Sequence, residues 1–417
     1  MSFTGLWIVC LAALAAPLAA TTAGRLRVPS VVLEVVAGIL IGPAVLGWVH
    51  VDRTISVVSD IGLAMLLFMA GREIDYRRLR GPAVELAALG MAVSLGLALA
   101  IGFGLRLLQL VAAPVFVAVV LSATGLGTLT PIFEDAPEVS GVFYRLVSTA
   151  ATFGEFTPIL LLTLRFSRQA TGAGTRLLLL AAFAGLALAV GLALFGVGES
   201  QRVRAVLTRL QDTTAQIRIR IAVVLFVAFA ALAGVLGLEA VLGAFVAGAI
   251  LKLVDRDAQM AHPQTSIKLQ ALGFGFLIPV FFVASGLGFD LRSLLTSAST
   301  LVLVLLFLAS QLVARGVPAV LFAGPLERDW GRVAAAGLFS ATSISTPVFA
   351  STIGQQLGVI TGGTAAALVA SGLLSTLLFP ALALTLLSSA AGTRPPAGEM
   401  PPAGSADGVR HTSSRRW

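Results

Sequence analysis

The chain has 417 residues, 57% of them hydrophobic and only 12% charged, with a net charge of +8 and a mean hydropathy of +0.98. A water-soluble chain of this length carries far more polar surface, so this composition excludes a soluble globular protein. The positive charge does not indicate a nucleic-acid binder, because the basic residues fall in short clusters between apolar stretches, where they orient helices in a membrane.

About 20 apolar residues, roughly 30 Å of helix, cross a bilayer. By that measure the sequence predicts an all-α polytopic membrane protein with about thirteen spans. They lie near 3–22, 28–49, 56–71, 83–106, 111–132, 143–165, 175–197, 217–236, 238–254, 270–288, 294–323, 330–351 and 359–387. The first has no basic segment before it and reads as a retained helix, not a cleaved signal. Cys10, in that span, is the only cysteine, so no intrachain disulfide forms. Residues 391–417, rich in Pro, Gly, Ser and Arg, read as a disordered cytoplasmic tail after a membrane domain of residues 1–390. Twenty-six of the 28 basic residues are Arg, and Ala, Leu and Gly dominate, a bias of high-GC bacterial genes that points to a bacterial inner membrane.

Arg25 and Arg27, Arg72 to Arg80, Arg202 to Arg209, Lys252, Arg256 and Lys268, Arg328 and Arg332, and the arginines of the tail all follow odd-numbered spans. They share one side, which the positive-inside rule makes the cytoplasm, with the N-terminus outside and the C-terminus inside. Glu134, Asp135 and Glu138 after the fifth span and Arg165, Arg168 and Arg176 after the sixth run against this pattern. A seventh span between two sets of six makes any repeat of the halves an inverted one, a common construction in secondary transporters.

One sign of such a repeat is visible. Residues 122–131 in the fifth span read SATGLGTLTP, and residues 340–347 in the twelfth read SATSISTP. Taken singly, either stretch could simply let helices pack closely. Paired at matching places, they predict two helices broken near the midplane, whose Ser and Thr groups satisfy freed backbone groups and face an ion. Thr124, Thr128, Ser340, Thr342 and Ser343 are the candidate ligands.

An ionisable group at the centre of a membrane costs at least about 2.5–3.5 kcal/mol, so each needs a reason. Glu155 lies ten residues from both Arg145 and Arg165, about 15 Å from either end of its span. It is the candidate proton and cation site; a structural Glu bonded between helices is the alternative. Arg315 lies some twelve residues inside its span and either pairs with Glu155 or Glu34 as an auxiliary charge or snorkels to the interface. Glu34, seven residues past Arg27, is too shallow for a central ligand. Asp60, Asp75 and Asp290 fall near span ends, where capping or solvation is expected. There is no Walker loop, HExxH or CxxC, and His50, His262 and His411 lie outside the spans, which disfavours a zinc enzyme or an ATP-driven pump and implies no cofactor.

Four segments carry a resemblance: 29–43 (PSVVLEVVAGILIGP), 67–75 (LFMAGREID), 242–248 (LGAFVAG) and 279–290 (PVFFVASGLGFD). In this order and spacing they resemble the monovalent cation:proton antiporter-2 family of the sodium/hydrogen exchanger superfamily, over about residues 28–386. The resemblance implies a core (about 83–165 and 294–387) with the fifth and twelfth spans broken and crossed. Next to it comes a panel (about 3–71 and 217–288) that makes a homodimer. It implies a carboxylate where Glu155 stands, a basic residue where Arg315 stands, and exchange of protons for Na+ or K+ by an elevator-like movement of the core.

Three departures are visible. The family's acid is usually Asp preceded by Asp, Asn or Gln, and here the pair is Gly154-Glu155. Ser340–Thr346 replace the RGEF-like motif, and the nucleotide-binding module of some potassium-efflux members is missing. A single titratable carboxyl implies electroneutral exchange. A gated channel lacks a visible selectivity filter; a proton-coupled exporter of an organic solute is the other alternative.

Overall fold

In the computed structural model of the chain, the described residues are 3–22, 29–73, 82–134, 136, 139, 141–166, 173–199, 216–254, 263–323 and 329–392. Most of the basic clusters used for orientation, together with Asp75, Asp135, Glu138, His262 and residues 393–417, lie outside them. Every regular element among the described residues is helical. In chain order these are α1 (Phe3–Thr22), α2 (Ser30–Ile41), α3 (Arg53–Glu73), α4 (Pro82–Leu107), α5 (Pro114–Leu121) and α6 (Leu126–Glu134). Then come α7 (Gly141–Phe166), α8 (Ala173–Glu199), α9 (Ile217–Val235), α10 (Ala240–Val254), α11 (Pro263–Leu272) and α12 (Ile278–Leu287). The last are α13 (Leu291–Thr296), α14 (Ala298–Gln311), α15 (Val317–Ala323), α16 (Trp330–Ser340), α17 (Ser345–Gln356) and α18 (Gly362–Gly392).

Among the described residues, eight helical stretches are long and apolar enough to cross a membrane and five are shorter apolar helices, and each of the thirteen spans expected from the sequence falls on one of these thirteen. Where spans are irregular, the cause is local. Wide π turns at Gly273–Leu277 and Leu312–Gly316 join α11 to α12 and α14 to α15. Each lies two residues before a proline, Pro279 and Pro318. Proline cannot donate to the carbonyl four residues back and its ring collides with it; a widened turn relieves the collision without ending the helix.

Helices close on one another through glycine, the usual solution where lipid offers no hydrophobic drive between helices. A Cβ on Gly38 would lie 2.0 Å from the Val283 carbonyl oxygen, and one on Gly286 would lie 2.2 Å from that of Val35, so α2 and α12 touch backbone to backbone. Gly71 and Gly248 make the same reciprocal contact between α3 and α10, at 2.1 Å from the Phe245 oxygen and 2.0 Å from the Phe68 oxygen. This seam also explains Arg72. Expected in a basic loop, it is part of the last turn of α3 and only 8% exposed.

Asp290 caps α13, accepting from the Ser293 N–H at 2.9 Å, as its place at a span end suggests. Asp60 sits two turns into α3 and is exposed, in keeping with the solvated role expected of it. Two bodies of packing emerge. One gathers α1, α2 and α3 with α9, α10 and α12; the other gathers α4 to α7 with α14 to α18.

Candidate ion site at the crossed helix breaks

The two sequence stretches singled out for their small polar residues are both breaks. Helix α5 ends at Leu121 and α6 begins at Leu126; α16 ends at Ser340 and α17 begins at Ser345. The extended segments cross and tie together. The Gly125 N–H donates to the Thr342 carbonyl at 2.8 Å, and the Thr124 N–H donates to the Gly154 carbonyl at 3.1 Å, fastening both breaks to α7. The Thr124 hydroxyl donates to the Ser340 carbonyl. Ser375 of α18 braces the second break from behind, its Oγ 3.3 Å from the Ser343 nitrogen and 3.2 Å from the Ser343 oxygen.

Broken helices leave unpaired N–H groups at one end and carbonyls at the other, with partial charges to match. The side chains around this crossing are sorted accordingly. Glu155, on α7 and only 2% exposed, stands at the two N-terminal ends. Its Oε2 accepts from the Leu126 N–H that opens α6, at 2.7 Å, and its Oε1 accepts from the hydroxyl of Ser345 that opens α17, at 3.2 Å.

Arg315, 4% exposed, stands at the carbonyl side. Its Nε donates to the Thr124 hydroxyl at 2.8 Å and lies 3.4 Å from the Ser340 carbonyl oxygen. Its Nη1 reaches Ser94 Oγ at 3.2 Å and Met91 Sδ at 3.3 Å, and its Nη2 donates to the Ala150 carbonyl at 3.1 Å. The expected pairing of Arg315 with Glu155 or Glu34 is therefore not what holds the guanidinium. Its donors are used on carbonyls and hydroxyls instead, because the ends of α16 and of the α5 break supply acceptors directly beside it. Snorkelling is likewise set aside by its burial.

The remaining expected ligands divide. Thr124, Ser340, Thr342 and Ser343 all lie in or beside the crossing and are buried. Of these, the Thr124 hydroxyl belongs to the Arg315 side, and the Thr342 hydroxyl donates back to Leu338 at 3.0 Å. The Ser343 hydroxyl is buried with no hydrogen-bond partner among the described residues. Thr128 lies in the first turn of α6, its N–H bonded to the Gly125 carbonyl at 3.2 Å. Glu34 lies on α2, outside the crossing. Two contributors were missed by sequence reasoning, Ser345 and the backbone N–H of Leu126. A Ser followed by Thr346-Pro347 is a helix-start signal that could have singled out Ser345; nothing in the side chain of Leu126 marks its N–H.

Gly154 has a geometric reason. A Cβ there would lie 2.5 Å from Nη2 of Arg315 and 2.7 Å from Oγ1 of Thr124. The guanidinium occupies the space that any side chain at this position would take.

Comparison with known proteins agrees with this architecture. The family described as sodium/hydrogen exchanger, transmembrane, matches residues 10–387. The chain is 26% identical to the putative Na+/H+ antiporter YjbQ of Bacillus subtilis over 374 residues, covering 85% of this chain and 58% of that protein; it thus spans little more than half of that relative's length. It is also 26% identical to the probable Na+/H+ antiporter 3 of Methanocaldococcus jannaschii, over 85% of this chain and 90% of that one. The sodium proton antiporter MjNhaP1 of the same archaeon, solved at pH 8, superposes with a TM-score of 0.64 over 93% of this chain and 97% of its own, at 18% identity, a likeness of fold.

Proposed function

The chain belongs to the sodium/hydrogen exchanger family, and we propose that it is a secondary antiporter exchanging one proton for one monovalent cation, Na+ or K+, across a bacterial inner membrane. The observation that carries this reading is the single buried carboxyl of Glu155 at the N-terminal ends of two crossed half-helices, with Arg315 at the carbonyl side. A carboxyl in that place is stable with a proton or with a cation. The same atoms serve both occupants. With no cation, the Ser345 hydroxyl donates to the carboxylate; rotated, it offers a lone pair to a hard cation, joined by carbonyl oxygens of the breaks. Because both occupants compete for Glu155, the site crosses the membrane loaded with one or the other.

The packing supports a division into a core, containing both breaks, α7, α14, α15 and α18, and a panel of α1 to α3 and α9 to α12. In this reading the core slides against the panel and carries Glu155 from one face to the other, and panels of two copies form a homodimer. We take the ends of α10 at Lys252 and of α16 at Arg332 as cytoplasmic, with the N-terminus outside, from the positive-inside pattern of the sequence. The test is a flux assay in liposomes carrying a pH-sensitive dye. Addition of Na+ or K+ should dissipate a preformed proton gradient, and addition of choline should not. Dissipation equal for all three, or none for any, would overturn the reading.

A further inference from the structure

Glu34 takes no part in the crossing of the helix breaks, yet it is 4% exposed and its Oε2 has no hydrogen-bond partner among the described residues. The helices that pack most against α2 are α1, α12 and α18. Among their described residues none carries Lys, Arg, His, Asp or Glu, and the only titratable side chain is Cys10 of α1. A carboxylate in such surroundings is a buried charge with no cation among these described residues to balance it, which a membrane interior disfavours. A protonated carboxyl is neutral and brings a donor.

The position favours the same form. Gly38, one turn beyond Glu34, meets the Val283 carbonyl and the Cα of Gly286 so closely that α2 and α12 touch backbone to backbone, an apolar seam one turn from the carboxyl. An O–H is tolerated beside such a seam and an unpaired carboxylate is not. α2 also meets α18, a helix of the core, so the helix that carries Glu34 stands at the boundary across which the core would slide.

We propose that Glu34 is a second proton-binding site, distinct from Glu155, that holds its proton in this conformation and ties the position of the core helices to pH. A site that binds a proton in one position of the core and releases it in another makes the two positions respond oppositely to pH. Acid then favours the arrangement seen here, and alkali frees the core to leave it.

Labelling tests the proton itself. Dicyclohexylcarbodiimide reacts with protonated carboxyls in apolar surroundings, and mass spectrometry of digested, reconstituted protein locates the adducts. Glu34 should be modified, with a yield that falls about tenfold per pH unit once it titrates, and Na+ should leave that yield unchanged. Glu155 should be modified too, but protected by the transported cation. Glu155 modified and Glu34 untouched at every pH would overturn the proposal. Coupling to transport rests on the exchange reading, whereas labelling does not, so Glu34 adducts in protein that exchanges no cation would count against exchange and uphold the proton site. For the coupling, Glu34→Gln, permanently neutral, should match the native rate at the acid end and fall about tenfold below it at the alkaline end, within the usual size of such couplings. Glu34→Asp should restore the native profile. A Glu34→Gln profile parallel to the native one would refute the coupling.

Discussion

At Glu155 the charge, its place and its partners make separate predictions. Glu155→Gln keeps the shape and its acceptor for the Leu126 N–H, so the variant should insert and purify normally. It can neither ionise nor attract a cation, so cation-dependent proton flux should vanish; native flux in this variant would remove Glu155 from the mechanism. Glu155→Asp keeps the charge but falls one methylene short of Leu126 and Ser345, and partial activity is expected. Ser345→Ala removes one ligand of the cation while leaving the carboxyl able to titrate. Its KM for the cation should rise about tenfold, the effect of one hydrogen bond or ligand worth about 1.4 kcal/mol, with the pH dependence of the maximal rate retained.

Arg315 is predicted to act differently. Its bonds fall on the carbonyl ends of the breaks, so Arg315→Gln should unfasten the crossing. We expect a lower melting temperature in detergent together with lost transport, since bonds from a charged donor contribute about 1.5–3 kcal/mol each. An unchanged melting temperature with only a moved pH profile would restore a direct electrostatic role toward Glu155. Burial of Glu155 and Arg315 was legible from their distance to the flanking charges. Which atoms they meet was not, because the partners are backbone groups, and a backbone N–H looks the same in every residue.

The elements show what the family-like segments are for. Gly38, Gly71, Gly243, Gly248 and Gly286 all fall within the four segments that carry the resemblance, and each admits no Cβ without collision with a neighbouring backbone. These glycines let α2 close on α12, α3 on α10 and α9 on α10. Gly38→Val should therefore abolish accumulation of folded protein, measured as a monodisperse peak in detergent, whereas Gly96→Val in α4, with nothing within 4 Å of the added Cβ, should be tolerated. Equal yields from both variants would show that the α2–α12 seam can open without harm. The breaks in the fifth and twelfth spans could be read from paired Ser, Thr, Gly and Pro. The π turns could not, although GFGFLIP and LVARGVP each carry the cause in a proline; a proline in a long helix also occurs without a π turn, as Pro158 and Pro380 show.

At the scale of the whole molecule, the boundary between the two bodies of packing holds both a cavity and direct contacts. A cavity of about 290 Å³ lies between α3 and α12 on one side and α17 and α18 on the other, lined by Ser56, Ser59, Asp60, Ser351, Thr352 and Gln355 among others. The same boundary is bridged by the Thr130 hydroxyl of α6, which donates to Glu73 of α3 at 2.9 Å, and by Phe156 of α7, which stacks on Phe245 of α10 with centroids 5.2 Å apart.

Stoichiometry follows from how few titratable groups the crossing holds. Among the described residues Glu155 is the one carboxyl that bonds to it, and the place beside it is taken by Gly154, whose side-chain space Arg315 fills. Arg315 keeps its proton under ordinary conditions. Glu34, if it shuttles a proton only between conformations, returns it each cycle to the side from which it came. One carboxyl alternating between one proton and one monovalent cation moves no net charge. Each tenfold proton gradient then supplies about 1.4 kcal/mol, while a membrane potential of 100 mV contributes nothing, against about 2.3 kcal/mol for every net charge moved. With the protein reconstituted, both ion gradients fixed and the potential set by an ionophore, the reversal point should stay where the two concentration ratios are equal. A reversal point that moves with voltage would mean that a second charge crosses with each cycle, and Glu34→Gln would then show whether that charge is the proton held on α2.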